Sequence, residues 1–325
     1  MQGAKMSLGT RIMVGKNQHW ENFVDGAGGD FHGKFCRWDP KSCDLLIETH
    51  LLRSYHVHGQ GSDRFVHQNN KIFFDDERGT VERGPWDMTR DISSTECGII
   101  HPRVGSGESG TTFIVSSGAA RATAWAVHNV VKPDFLLSPG VVPLGKGYAG
   151  QGFMIEMMMK HASDVKLSVG YVYDDIEGDL QHVTFNREDS SGWPSPFWGD
   201  DKSMLSISAQ DVNGALGLKE VVSATGCGHQ IEIPVKSGSD ALLQELKIVD
   251  IKFDGHLSSL EQANTAIFKL PDGLIVLVPR SIPFGHAWSA AYLFRPSDAE
   301  IVHSLETRYT ASGAFDCFRH VEFVL

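Results

Sequence analysis

The chain has 325 residues, of which 41% are hydrophobic and 21% charged, so it is too long for one small core and too apolar for disorder. Its 40 acidic residues against 29 basic ones leave a net charge of −11, which argues against a partner that is gripped through clustered Lys and Arg, nucleic acid above all. No apolar run reaches the roughly 20 residues that cross a bilayer, and Met1 to Gly15 lacks the apolar core of a secretory signal, so no membrane span is expected.

In chain order, Asn17 to Asp25 is the clearest helix, with Trp20, Phe23 and Val24 at i, i+3, i+4 spacing and glycines 26, 28 and 29 as a stop. Short apolar runs bounded by turn residues follow. Strands are expected at Phe31 to Trp38, Leu45 to His58, Arg64 to Phe74, Thr111 to Ser116, Ala120 to Val127, Phe153 to Met159 and Val165 to Tyr173. Beyond Asp201 the same style gives Met204 to Ser208, Gln230 to Val235, Leu246 to Phe253, Ala266 to Leu270, Leu274 to Val278, Ala287 to Phe294 and Phe315 to Val324. Many short antiparallel strands with tight turns make a sandwich or a barrel.

A pattern recurs between the halves. Ser163-Asp164 precedes Tyr173 and then Gly178-Asp179-Leu180, as Ser297-Asp298 precedes Tyr309 and then Gly313-Ala314-Phe315. Asp189 to Lys202 lies between them, rich in Pro, Gly, Ser and acidic residues, and its Trp193, Phe197 and Trp198 are expected to pack across a seam. The expected division is a tail at 1–16, a first β-barrel at 17–188, a linker at 189–201 and a second β-barrel at 202–325.

Leu270-Pro271-Asp272-Gly273, Ile282-Pro283-Phe284-Gly285 and Arg308-Tyr309-Thr310-Ala311-Ser312-Gly313-Ala314 resemble the second barrel of a cyanobacterial and plastid family of tandem calycin-like (lipocalin-type) barrels. His19-Trp20-Glu21-Asn22, Asp30-Phe31-His32-Gly33 and Val183-Thr184-Phe185-Asn186-Arg187-Glu188 resemble its first barrel. The family includes the chloroplast ATP synthase biogenesis factor. The resemblance implies a mostly β fold of two tandem calycin-like antiparallel barrels with a short N-terminal helix, and as one role the assembly of a protein complex. No Ser- and Arg-rich transit segment precedes the helix, which is a departure from the plastid pattern.

The candidate chemistry centres on Gly150 to Met159. With Phe153, Ile155, Met157 and Met159 on one face of a strand, Met154, Glu156 and Met158 share the other, one acid among pliable thioethers. Desolvation would raise such a carboxyl into the range of a general acid or base, whereas an ion pair with Arg187 or Arg121 would make it structural. Arg121 and Trp125 alternate onto one face of Ala119 to Asn129, a pair able to grip a carboxylate and stack on a ring, or else to sit as core and snorkelling neighbours. Tyr55, Trp38, Trp86 and Trp288 are expected to wall or plug the barrels. Of fifteen histidines, His56 and His58 share a face near His50 and His67, but spacing fixes no third ligand, and no metal is expected.

Five cysteines, Cys36, Cys43, Cys97, Cys227 and Cys317, are scattered as reduced thiols would be, which suits the cytoplasm, or an organelle if a transit segment has been removed. No cofactor motif is present: the glycines at 145, 147, 150 and 152 precede a strand rather than a helix. Three functions fit. The first is a cofactor-independent cyclase or isomerase acting on an apolar, polyene or terpenoid-like substrate, with Glu156 and Arg121 as catalytic residues and Trp125, Met154, Met158, Tyr55 and Trp38 as the binding wall. The others are a passive carrier of such a ligand, and an assembly factor whose outer surface grips a protein partner.

Overall fold

A computed structural model of the chain describes residues 12–14, 17, 20–21, 23–24, 28–95, 98–101, 111–116, 123–130, 153–160, 165–174, 177–192, 200–218, 225–232, 244–260, 264–283, 285–296, 299–311 and 315–325. Most of these residues are in strands. In the first half they are β1 (Ile12–Val14), β2 (Gly29–Trp38), β3 (Leu45–His58), β4 (Phe65–Phe73), β5 (Thr80–Thr89), β6 (Ser94–Thr95), β7 (Gly98–His101), β8 (Thr111–Ser116), β9 (Thr123–Val130), β10 (Phe153–Lys160), β11 (Val165–Tyr173) and β12 (Leu180–Asp189). The second half has β13 (Leu205–Ser206), β14 (Thr225–Glu232), β15 (Gln244–Lys252), β16 (Thr265–Lys269), β17 (Ile275–Pro279), β18 (Trp288–Phe294), β19 (Ile301–Tyr309) and β20 (Phe315–Val324). An eight-residue helix, Phe253–Leu260, follows β15.

The strands form two antiparallel sheets. The first has the order β5-β4-β3-β2-β12-β11-β10-β9-β8-β7-β6 and the second β1-β15-β14-β20-β19-β18-β17-β16-β13. Each contains the same run: the last strand of the half pairs with its first long strand, and the hairpin partner of that first strand lies beyond it. This run is β3-β2-β12-β11-β10-β9-β8 in one sheet and β15-β14-β20-β19-β18-β17-β16 in the other. The recurring tyrosines also match, because the register slips by one residue at Tyr173 in β11–β12 and at Tyr309 in β19–β20.

The first sheet curls on itself. Its two edges, β5 and β6, are consecutive in the chain and joined by the four-residue turn of helix Arg90–Ser93, which spans only about 6 Å. The second sheet is a curled half-barrel, and the fold is mostly β and barrel-like. Its edge is extended by β1, which pairs with β15 through Ile12, Met13 and Val14, residues that the sequence assigned to a tail. Three residues are too few for a periodic signal.

Alternation explains the layers. On β10 and β11, Ile155, Met157, Met159, Val165, Leu167, Val169, Tyr171 and Tyr173 belong to one core with Ala266, Phe268, Val276, Val278, Ala290, Tyr292 and Leu305 of the second sheet. This is a seam between sheets. Polar pins cross it: the hydroxyls of Tyr171 and Tyr173 donate to the carbonyls of Ala291 (3.2 Å) and Pro279 (3.1 Å), and Trp38 Nε1 donates to the carbonyl of Lys202 (2.9 Å). At one end Leu180 N bonds Arg280 O, Ile282 N bonds Gly178 O, and Arg187 pairs with Asp272. Trp288 stacks on Tyr309 at 4.1 Å and meets the edge of Tyr173, so it seals the seam and fills no barrel. Trp193, Phe197 and Trp198 lie outside the described residues.

The second sheet's other face holds a core of Val302, Val321, Phe323, Ile275, Leu277 and Leu293, which Phe253 and Leu260 of the helix cover. The first sheet's other face is covered by Trp20, Phe23 and Val24, the stripe read from the sequence. Truncating the seam should be costly: Trp288→Ala should lose about 3–5 kcal/mol and Tyr171→Phe about 1 kcal/mol, read as shifts of the denaturant midpoint. Equal midpoints for wild type and Trp288→Ala would show that the seam is not a core.

Candidate functional site in the first sheet

The face of the first sheet turned away from the seam is polar and charged. Position by position, β11 offers Lys166 and Ser168, β12 offers Asn186 and Glu188, and β3 offers Arg53 and Tyr55, all buried. Register brings them together. Lys166 lies opposite Glu188, and Ser168 opposite Asn186, on paired strands where facing side chains share a face. Glu188 faces Gly33 on β2, and Gly33 faces Leu51 on β3. A Cβ on Gly33 would meet Glu188 Cγ at 2.9 Å, so the glycine leaves the gap across which Arg53 reaches Glu188.

Arg53 is the hub. Its Nη2 lies 3.3 Å from Glu156 Oε1 and 3.2 Å from Glu188 Oε1, and its Nη1 donates to Met158 Sδ at 3.1 Å. Ser168 Oγ donates to Glu156 Oε1 at 2.8 Å and accepts from Asn186 Nδ2 at 3.1 Å. The Lys166 ammonium sits 3.3 Å from the centre of the Phe31 ring and 4.7 Å from that of Tyr55. Two cations and two carboxylates therefore balance in one cluster. Isolated, any of the four would be expensive to bury.

Burial and charge oppose each other here. Burial raises the Glu188 carboxyl, Arg53 and Lys166 pull it back, and Glu156 pushes it up again, with the balance on the raised side. Burial alone would lower Arg53, but Glu188 and Glu156 hold it above its ordinary value. The Tyr55 hydroxyl is pushed up to about 12, chiefly by burial. Glu188 is 1% exposed and Asn186 5%, and among the described residues Asn186 Oδ1 and both Glu188 oxygens have no hydrogen-bond partner. Buried acceptors in that state call for a donor.

The structure gathers Glu156, Met158 and Tyr55 on this face. Met158 joins a cluster with Tyr55, Val66, Met88 and the helical Trp20 and Phe23, while Ile155, Met157 and Met159 face the seam. Trp38 is not with them: it lies in the seam core. Trp125 is on β9, its backbone in register with Met158, and Met154 is on β10 in register with Val172. Arg121 lies outside the described residues. Among the described residues Glu156 pairs with Arg53; of the two partners the sequence offered, Arg187 pairs instead with Asp272 across the seam. Sequence reasoning missed Arg53, Lys166, Ser168, Asn186 and Glu188. The available signal was alternation, which puts Leu51, Arg53 and Tyr55 on one face of β3.

The second sheet has its own buried acid, on β19. Glu306 accepts from Arg319 Nη1 at 2.8 Å, and burial raises its carboxyl against the pull of Arg319. On β3 and β4 the ring of His58 lies 6.3 Å from that of His56 and 6.4 Å from that of His67. His56 Nε2 is 3.1 Å from Asp30, His67 Nδ1 is 2.7 Å from Asp87, and His58 stacks on Phe65.

No family model matches the chain, and no curated protein matches it. Among solved structures it is similar to a protein of unknown function from the DUF3598 family of Nostoc punctiforme, with a TM-score of 0.50 and 14% identity over 94% of this chain and 99% of that one. This likeness speaks for the fold. A porin variant of Rh. blastica aligns over 90% of this chain and 98% of that one at a TM-score of 0.20 and 7% identity, which is too low to bear on the fold.

Removing the hub should unbalance the charges. Arg53→Met leaves two carboxylates without their shared cation and should cost about 3–5 kcal/mol at pH 7. The sign with pH follows from Glu188: a carboxyl raised in the folded state favours folding at low pH, and that contribution is lost as pH rises through the raised value. The variant, lacking the pull of Arg53, should therefore sit closer to wild type at pH 5 than at pH 7. Urea midpoints at the two pH values check this, and an equal gap at both would contradict it.

Proposed function

We propose that the charged face of the first sheet binds a small molecule with an apolar body and a hydrogen-bond donor, and that the protein acts on it as a cofactor-independent isomerase or cyclase. The observation that carries this reading is the pair of buried acceptors, Asn186 Oδ1 and the Glu188 carboxylate, lacking hydrogen-bond donors among the described residues beside two buried cations. A hydroxyl on the guest would supply the donor. Phe31, Tyr55 and Met158 would meet its apolar part, the methionine adapting to its shape.

Glu156 is the group proposed to move a proton, and its ion pair with Arg53 has to open for it to do so. Its side chain is 13% exposed, against 1% for Glu188, so it is the carboxylate of the pair that a guest can touch. Ser168 and Arg53 fix its Oε1, which makes them positioning residues. The lining is more polar than the run of methionines implies, and this favours an amphipathic substrate over a purely apolar one. It also favours turnover over passive carriage, since a carrier of an apolar ligand has no use for two buried cations beside two carboxylates. The division into a first unit at 17–188 and a second at 202–325 goes with this reading, the second serving as the platform on which the first is built.

All-trans-retinol, a polyene with one hydroxyl, is a suitable probe. Titration should give saturable enhancement of its fluorescence at one molecule per chain, and Asn186→Leu should weaken that binding about tenfold, the worth of roughly one hydrogen bond. Incubation in D2O should return retinol isomers carrying deuterium, at a rate lowered by about 10²- to 10⁴-fold in Glu156→Gln. Retinol that binds but comes back unchanged would make the protein a carrier, and absence of saturable binding would remove the site.

A further inference from the structure

We infer that the second sheet holds a binding site for a divalent transition-metal ion of the zinc class, built from His303, His320 and Glu322. The site lies outside the charged cluster of the first sheet and does not depend on its reading. Among the described residues these three form the group of His, Cys, Asp and Glu side chains close enough to share an ion, with one ligand atom from each all within 4.8 Å of one another.

Strand geometry assembles it. His320 and Glu322 are two apart on β20 and so share a face, and His303 on β19 is the register partner of Glu322. His303 and His320 are 5% and 1% exposed, while the Glu322 side chain is 20% exposed and opens the group to solvent.

The distances also suit a shared ion. His303 Nδ1 lies 3.4 Å from His320 Nε2 and 3.6 Å from Glu322 Oε1. Without an ion the first contact is a hydrogen bond between the rings and the second an ion pair when His303 is protonated. Both separations match edges of a coordination tetrahedron, in which ligand bonds of about 2.0–2.2 Å set neighbouring ligand atoms about 3.3–3.6 Å apart. Two imidazoles and a carboxylate are borderline donors suited to zinc, and three protein ligands leave one position for water or a substrate atom. The His56 and His58 pair, where the sequence drew attention to metal chemistry, is not such a group among the described residues: His56 lies against Asp30 and His58 stacks on Phe65.

The test uses the full chain stripped with a chelator and titrated with zinc chloride, read by calorimetry and by metal analysis after dialysis. Wild type should retain one zinc per chain, and His58→Gln should do the same. His303→Gln and Glu322→Gln should each weaken binding by on the order of 100-fold, the upper range for loss of even a supporting group. Circular dichroism checks the fold of each variant, and Glu322→Gln, the more exposed position, serves if the buried histidine is not tolerated. Wild type that keeps no stoichiometric zinc, or folded variants that bind as tightly as wild type, would overturn the assignment.

Discussion

Strand β11 is buried at all nine of its positions, and the rest of the molecule is arranged around that constraint. A strand turns alternate residues to opposite sides, so burial on both faces demands that both be covered. One face, Val165, Leu167, Val169, Tyr171 and Tyr173, is covered by the second sheet. The other bears Lys166 and Ser168, and the first sheet curls round to close over it. The curl and the seam are therefore two answers to one problem. A change at an odd position of β11 acts on the joint between sheets, and one at an even position acts on the charged site.

Burying charge on the inner face shapes the neighbouring strands. Lys166 needs an anion and has Glu188 opposite; Glu188 with Glu156 needs a second cation and has Arg53 from β3; Gly33 on the intervening strand stays small so that Arg53 can cross. Each group is tolerable because the others are present, which ties four strands to one another more specifically than apolar contacts do. The two halves share a strand order and differ in where they put ionised groups. In the second sheet the buried acid is Glu306 on β19, paired with Arg319 on β20, and the opposite face of the same strands carries the two histidines and Glu322.

Much of the fold was legible. Leu45 to His58, Thr111 to Ser116, Val165 to Tyr173 and Phe315 to Val324 were readable to the residue, because each is a run of β-branched, aromatic or alternating residues between turn formers. β5 was not. Its Gly84-Pro85 and mostly exposed residues give no alternation, which a strand at the edge of a sheet tolerates because one side of it needs no ladder. β19 hid for another reason: His303, Glu306 and Thr307 interrupt its apolar run, although the fold buries all three.

The residues by themselves determined the strand-rich class, the repeated pattern at the two tyrosines, the helical stripe of Trp20, Phe23 and Val24, and the alternation that sets Glu156 and Met158 apart from Ile155, Met157 and Met159. These are local properties, fixed by the period of side chains along a strand or helix. Only the tertiary structure decided that Glu156 meets Arg53, that Trp38 and Trp288 serve a seam between sheets, and that His303 meets His320 and Glu322. Glu156 and Arg53 are 103 residues apart in the chain, and nothing in either neighbourhood encodes the pairing. It arises because β12 returns to lie between β11 and β2, a choice made by the sheet as a whole when it covers both faces of its central strand.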